Sequence, residues 1–384
     1  MQSFLTEIQQ QRRGEFREFV SRHVLPAAAV WDREEKIPAS VVQLMAEAGY
    51  LGGTLPEKFG GQGWDTVTFG LLNEAFGRGS AALTDLLTVQ AMVSMTLLKW
   101  GSDEQKSRWL PPLARGEIIG AFALTEPTGG SDLQSLQTRF TTAENGAYRL
   151  TGEKTWISYG QTAGVFLVIG FAGALPLACL VPRDAAGISI EPITGMLGYR
   201  AAGLARITFS DVLISAENVV GKPGTALNFI APVGLQYGRI STACSGLGLL
   251  RGCFEEATAR AAMRKIGSSV AGDFGMMRSL LARMGTDLHA AELLCLAACR
   301  ATDERLPEAF NKTLMAKYFS SRAAVRAASD AVQICGAAGC REDAPVSRFY
   351  RDAKILEVIE GTTQIHEELL GRAFVDAASR AISK

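Results

Sequence analysis

The sequence predicts an α+β protein in which one β domain is set between two helical regions. Three observations carry this reading. Apolar residues recur at helical spacing up to about residue 120 and again beyond residue 222. Between those limits the period shortens to brief apolar or alternating runs, parted by Gly, Pro, Asn and Asp. At 384 residues, 47% hydrophobic and 20% charged, the chain is long enough for two or three packed domains. The expected division is a helical domain over 1–120, a β domain over 121–222 and an up-and-down helical bundle over 223–384.

In the first region Phe16, Phe19, Val20 and Val24 recur at helical spacing, and Pro26 marks an end or a kink. Val41, Val42, Leu44, Met45 and Leu51 resume the pattern after Ile37-Pro38. Leu55–Gly61 is a loop of strong turn formers, and helices are expected over about 67–76 and 82–100. Gly101-Ser102-Asp103 caps the next helix, which carries Trp109 and Leu110. Strands are expected at 121–124, 148–150, 154–157, 165–171, 177–181, 188–193 and 206–209. Long helices then cover about 225–262, 273–303, 308–335 and 346–359, with a last one after a break. The run Gly246–Gly252 has the look of a dinucleotide loop. No strand precedes it, so close helix packing explains its glycines better.

Charge and composition exclude some functions. With 39 basic and 39 acidic residues, there is no nucleic-acid footprint and no cationic membrane surface. No apolar run is read as reaching the roughly 20 residues that cross a bilayer. The start of the chain lacks an apolar signal core, and Glu7 and Glu15 argue against a transit peptide, so the cytoplasm is expected. Seven cysteines in mostly apolar helical context read as buried thiols. Cys295 and Cys299 share a helix face with no histidine near, so no metal site is expected.

Three stretches could carry chemistry. Within 351–372 a helix breaks at Glu360-Gly361-Thr362, where glycine relaxes the backbone and threonine caps the next helix. Glu360 then sits at a corner beside Ile355, Leu356 and Ile359. Apolar neighbours disfavour a charged carboxylate and raise its pKa towards that of a useful base. By pattern alone Glu360 is more simply a solvated turn residue. Within 121–132 a strand ends at Thr125, Pro127, Gly129, Gly130 and Ser131. Bare backbone N–H groups and hydroxyls there suit an anionic ligand, or an ordinary turn. Within 152–158, Trp156 is either a core indole or a flat wall for a ring, with the Ser158 hydroxyl two residues on.

Together these stretches resemble the acyl-CoA dehydrogenase family. Arg351–Gln364 is similar to its C-terminal signature, with Ile359 where a tyrosine is usual. Ala121–Asp132 is similar to its first flavin signature, and Gly152–Ser158 to its second flavin-contacting stretch. Trp31–Glu34, Leu55–Gly61 and Gly101–Glu117 match its N-terminal motifs, and the likeness runs from about Phe16 to Arg372. The resemblance implies an N-terminal helical domain, a middle β-barrel or sandwich and a C-terminal four-helix bundle. It implies FAD as cofactor and an acyl thioester as substrate. Glu360 is implied as the base that removes the α proton while the β hydride passes to flavin N5, with Arg239 tuning its charge. Phe122, Leu124, Thr125, Gly130, Ser131, Trp156, Ile157 and Ser158 are implied for the flavin. Ser158 would donate towards N5, and Ser131 would also lie near the pantetheine arm. Arg264, Gln333 and Gly336 are implied for the FAD of a neighbouring subunit, and Thr362 and Gln364 as further cofactor contacts. Ser131, Arg239 and Gly361 are implied for the substrate.

The chain departs from the family pattern at several points. Gln236 stands where an aspartate is usual, and Gly238 where a minority of the family keeps its base. Gly267-Ser268 replaces Phe-Gly, Gly275 a glutamine and Ala337 a glycine. The carrier thus stays open between a small acyl-CoA and an acyl-carrier-protein thioester. The electron acceptor stays open between electron-transfer flavoprotein and oxygen, and the assembly between homotetramer and dimer. A flavin oxidase or monooxygenase on the same scaffold is the alternative enzyme reading, and a flavin-free binding protein the non-enzymatic one.

Overall fold

The computed structural model describes residues 4–382. Six helices come first: α1 (Glu7–Phe19), α2 (Ala28–Glu34), α3 (Ala39–Glu47), α4 (Thr66–Gly79), α5 (Ala81–Trp100) and α6 (Asp103–Ala114). Eight strands come next: β1 (Gly120–Ala123), β2 (Arg139–Thr142), β3 (Tyr148–Ile157), β4 (Val165–Ala172), β5 (Leu175–Pro182), β6 (Ile188–Pro192), β7 (Ala205–Ile214) and β8 (Val219–Val220). The chain then enters α7 (Ala231–Met263), makes the hairpin β9 (Lys265–Ile266) and β10 (Ser269–Val270), and closes with four helices. These are α8 (Gly275–Asp303), α9 (Ala309–Cys335), α10 (Pro345–Leu356) and α11 (Thr363–Ile382).

The β domain is one mixed sheet in the order β6-β7-β3-β2-β4-β5-β8. β1 runs parallel to β4 with Gly120 opposite Val165, and β2 meets the same edge of β4 further along, at Phe171. The sheet folds back on itself, so Ala121, Phe166, Val168 and Cys179 pack against Leu150, Ile207, Phe209 and Ile214 in one interior. Alternate residues of β4 and β5 point the other way, onto α5, α6 and the start of α7. Two expectations need correction. β3 is one strand, not two, because Gly152 takes a φ of +154° and carries the chain through a bulge rather than a turn. β2 and the β9–β10 hairpin were not expected, because four and two residues leave too little pattern to read.

α7 is the axis of the bundle. Hydroxyls dock it on α5, through Thr84 Oγ1–Ser245 Oγ at 2.8 Å and Thr88 Oγ1–Ser241 Oγ at 2.5 Å. Its glycines are contact points, as expected: a Cβ on Gly248 would stand 2.0 Å from the Glu74 carbonyl oxygen. Glu74 itself is buried, and receives Arg13 at 3.0 Å, Arg17 at 3.1 Å and Arg251 at 2.7 Å, which joins α1, α4 and α7. Burial pushes its carboxyl up, but the three guanidiniums outweigh that and hold it at about 2.

α5 corrects the reading of apolar runs. Its 20 residues are long and apolar enough to cross a bilayer, yet nearly all are buried among the helices and sheet, as a core helix requires. All seven cysteines are free, and Cys340 is exposed.

Candidate active site

The Glu360 corner is built by a stopped helix. α10 ends at Leu356, earlier than the expected 359, because the next residues turn until the Thr363 N–H reaches the Glu357 carbonyl at 3.0 Å. Glu360 takes a left-handed φ of +54° and Gly361 one of +94°. For a side-chain-bearing residue that conformation costs on the order of 1 kcal/mol, so it persists only where surrounding contacts hold it. Three groups do so. The Glu360 carbonyl accepts from Arg239 Nε at 3.3 Å and from His366 Nε2 at 3.1 Å, and the Gly361 carbonyl accepts from Lys317 Nζ at 2.6 Å. Thr362 caps α11, its hydroxyl taking the Ile365 N–H at 3.4 Å.

The corner's electrostatics follow from this enclosure. Burial pushes the His366 imidazole down to about 3, and Lys317 and Arg239 add to the effect. The ring is therefore neutral, and Nε2 carries the proton given to the carbonyl. Burial also lowers Lys317 to about 7 and raises Glu360 to about 7. For Glu360, Arg239 and Lys317 pull against burial while Asp85 adds to it. The residue is half-buried as a whole, yet its Oε2 is fully enclosed and has no hydrogen-bond partner among the described residues. Gly238 supplies the room, since a Cβ there would lie 2.2 Å from that oxygen. Gln236 turns away and bonds Thr302 and Thr313 at 3.2 and 2.7 Å.

The β domain presents the facing wall. Phe122 is buried on β1 with its ring against Gly234 of α7, four residues before Gly238. Leu124 is buried, and the Thr125 carbonyl takes the Thr155 N–H at 3.0 Å. Residues 127–131, with Gly130 and Ser131, form an exposed turn in which Gly129 has a φ of +140°. Beneath it lies the buried pair Lys154–Glu126, at 2.8 Å, and Glu126 also takes the N–H groups of Gln137 and Thr138. The pair clips the turn to β3. Trp156 is 53% exposed at a φ of +60°, where the β3–β7 register shifts. Its indole is a ring wall left uncovered, not a core residue. Ile157 turns its side chain into the β interior, so only its backbone can face a ligand. Ser158 donates to the Asp85 carboxylate.

The remaining expected residues lie elsewhere. Arg264 Nη1 donates to the Ile334 carbonyl at 3.1 Å and abuts Gly336, beside the exposed Gln333. This cluster is about 37 Å along α7 from Arg239, so one chain does not bring it to Glu360. Gln364 is exposed on α11. Asp85, Lys317 and His366 are site residues that the sequence reading missed. Asp85 leaves one signal, an acidic side chain inside the long apolar helix α5, while the other charges of α9 and α11 hide Lys317 and His366.

An exposed indole, hydroxyls on a glycine turn and an enclosed, unpartnered carboxylate oxygen together fit a planar, phosphate-bearing cofactor beside a proton-bearing substrate. Known proteins agree. The acyl-CoA dehydrogenase N-terminal, middle and C-terminal domains match residues 6–117, 121–212 and 230–375. A glutaryl-CoA dehydrogenase of Desulfococcus multivorans is 34% identical over 91% of this chain and 92% of its own. An acyl-CoA dehydrogenase of Bacillus subtilis (strain 168) is 33% identical over 96% and 98%. The structure of butyryl-CoA dehydrogenase from Megasphaera elsdenii superposes with a TM-score of 0.93 at 28% identity, covering 97% of this chain and 99% of that one. Such relatives support an oxidoreductase acting on a CH–CH bond, in a family that depends on FAD. With its three domains in the family's order and its fold superposed along nearly the whole length, the chain belongs to the acyl-CoA dehydrogenase family.

Proposed function

We propose that this protein is a FAD-dependent dehydrogenase of a small acyl thioester, carried on CoA or on an acyl carrier protein, with Glu360 as its base. The observation that carries the reading is the Glu360 carboxylate: enclosed, unpartnered at Oε2 and raised to about 7. A base of that pKa is half-ionised near neutrality and gains proton affinity without losing its charged form.

Trp156 and the Thr125–Ser131 turn are the residues that would hold FAD, which when bound supplies the acceptor for the β hydride. The Ser158 hydroxyl, here given to Asp85, would have to turn from it to donate to the flavin. Glu360 Oε2 takes the α proton. Arg239 and Lys317 sit close enough to keep a share of Glu360 ionised, and with His366 they hold the corner so that the carboxylate stays aimed. The backbone N–H of Glu360 is the donor offered to the thioester carbonyl, where charge develops as the proton leaves. Gly361 keeps the corner open, and Phe122 and Leu124 exclude water from the β-domain side.

The cluster of Arg264, Gln333 and Gly336, remote from Glu360, supports an assembly in which this end serves a neighbouring subunit's FAD. A homotetramer is the expected form. Electron-transfer flavoprotein or oxygen would reoxidise the enzyme. The cytoplasm is the proposed compartment, and seven unpaired thiols suit it. Anaerobic titration of purified holoenzyme with acyl-CoA and acyl-carrier-protein thioesters tests the reading through flavin absorbance. Bleaching that is lost in Glu360→Gln, with FAD retained, is expected; undiminished bleaching in that variant moves the base elsewhere.

A further inference from the structure

Asp85 lies at the site, and the proposed reaction leaves it unused. It is 6% exposed on α5, which the Thr84–Ser245 and Thr88–Ser241 hydrogen bonds hold in register with α7. Ser245 and Gly238 are two turns apart on α7, about 10 Å, and the Glu360 carboxylate fills the space over Gly238. Asp85 therefore lies towards one end of this stretch of α7 and Glu360 towards the other, near enough for the Asp85 charge to add to what raises Glu360. Burial and the Ser158 hydroxyl are what act on Asp85, and no arginine or lysine among the described residues offsets its charge. Tyr159 and Tyr199 flank it, but the Tyr159 hydroxyl is committed to the Ala82 carbonyl at 2.8 Å, and the Tyr199 hydroxyl is engaged with Ser245 and Thr84.

A second observation points the same way. Thr242 lies one turn beyond Gly238, so it shares the face of α7 turned to Glu360, and its Oγ1 is buried without a partner. An enclosed hydroxyl and an uncompensated carboxylate are costly furniture for a pocket meant for a plain hydrocarbon chain. They suit an acyl group that brings its own donor.

Building on the dehydrogenase reading, we infer that Asp85 is a specificity-determining residue. It accepts from an amino or hydroxyl group on the carbons beside the thioester, with Thr242 lining the path between. The site is then built for short, donor-bearing acyl thioesters and discriminates against plain ones.

The test uses FAD-loaded wild type, Asp85→Leu and Asp85→Asn. Each is titrated with chain-matched plain, hydroxy and amino acyl thioesters, on CoA and on a carrier-protein arm. Anaerobic stopped-flow bleaching gives the rate constant of flavin reduction over its half-saturating concentration, and calorimetry in the Glu360→Gln background gives Kd. Wild type is expected to favour a donor-bearing chain by roughly 10- to 100-fold, the range of a hydrogen bond to a charged group. Asp85→Leu should collapse or invert that ratio. Asp85→Asn, the variant closest in shape, should lower the amino preference more than the hydroxyl preference. An equal or greater preference for the plain chain in wild type overturns the inference, as does a ratio that neither variant moves. Donor-selective binding without bleaching would sink the dehydrogenase reaction and keep Asp85's role. Bleaching without donor selectivity would do the reverse.

Discussion

Replacing Glu360 by glutamine should remove the reaction and, above neutral pH, favour the fold. The carboxyl rises from an ordinary 4.5 to about 7, chiefly through burial. Because the folded value lies above the unfolded one, ionisation favours the unfolded chain, and stability is lost as pH climbs from 4.5 through 7. In full the shift corresponds to about 3 kcal/mol, of which about 2.5 kcal/mol falls between about pH 5 and 8. That figure is a ceiling, since part of the residue meets solvent. Glutamine does not titrate, so the stability of Glu360→Gln relative to wild type should improve by up to that amount from about pH 5 to about pH 8. Lys317 shares the field and changes the size of the effect, not its sign. Urea unfolding at both pH values and one fixed protein concentration, followed by circular dichroism, measures the difference. The same preparations should show full flavin reduction by a good substrate in wild type and none in the variant. A difference that is flat or of opposite sign across this range would refute burial as the source of the base's strength.

Other consequences can be measured directly. Gly238→Ala puts a methyl against Glu360 Oε2, so the rate of flavin reduction should fall at least about tenfold while FAD stays bound, read by anaerobic stopped flow. Lys154→Met leaves the Glu126 carboxylate buried without its cation; unfolding free energy should drop by about 3–5 kcal/mol, checked by denaturant titration at neutral pH. Glu74 is held at about 2, below its ordinary 4.5, so its contribution is full above pH 4.5 and fades as pH falls towards 2. Glu74→Gln should therefore flatten the acid limb of the stability profile by about 3 kcal/mol over that window.

How much of this was legible in the sequence depended on distance along the chain. Helices such as α5 and α9 announce themselves by a period sustained for 20 residues or more. β2 exposes three of its four residues, and only Phe140 is buried, so it carries no alternation long enough to notice. The Glu360 corner could be foreseen because its glycine and threonines are adjacent to the carboxylate. The groups that aim it could not: Lys317 is 43 positions upstream and reads as one polar residue on an apolar face, while Asp85 is 275 positions away. Trp156 shows the same limit. A tryptophan in a strand signals a core, and only the left-handed backbone of the bulge turns it outward.

That backbone has a consequence for the protein's future as much as its present. Trp156, Tyr159, Tyr199 and Glu360, four of the eight described non-glycine residues with positive φ, belong to the β-domain wall, the surroundings of Asp85 or the Glu360 corner. Half of the left-handed, side-chain-bearing positions among the described residues are thus concentrated where the protein reacts, and the other half are Glu35, Asn145, Asp211 and Arg305. A laboratory selection that rewarded heat resistance alone, blind to chemistry, would relax these four positions along with the other four. The strained positions that such a selection altered and a selection for activity kept would trace the outline of the site without any substrate being known.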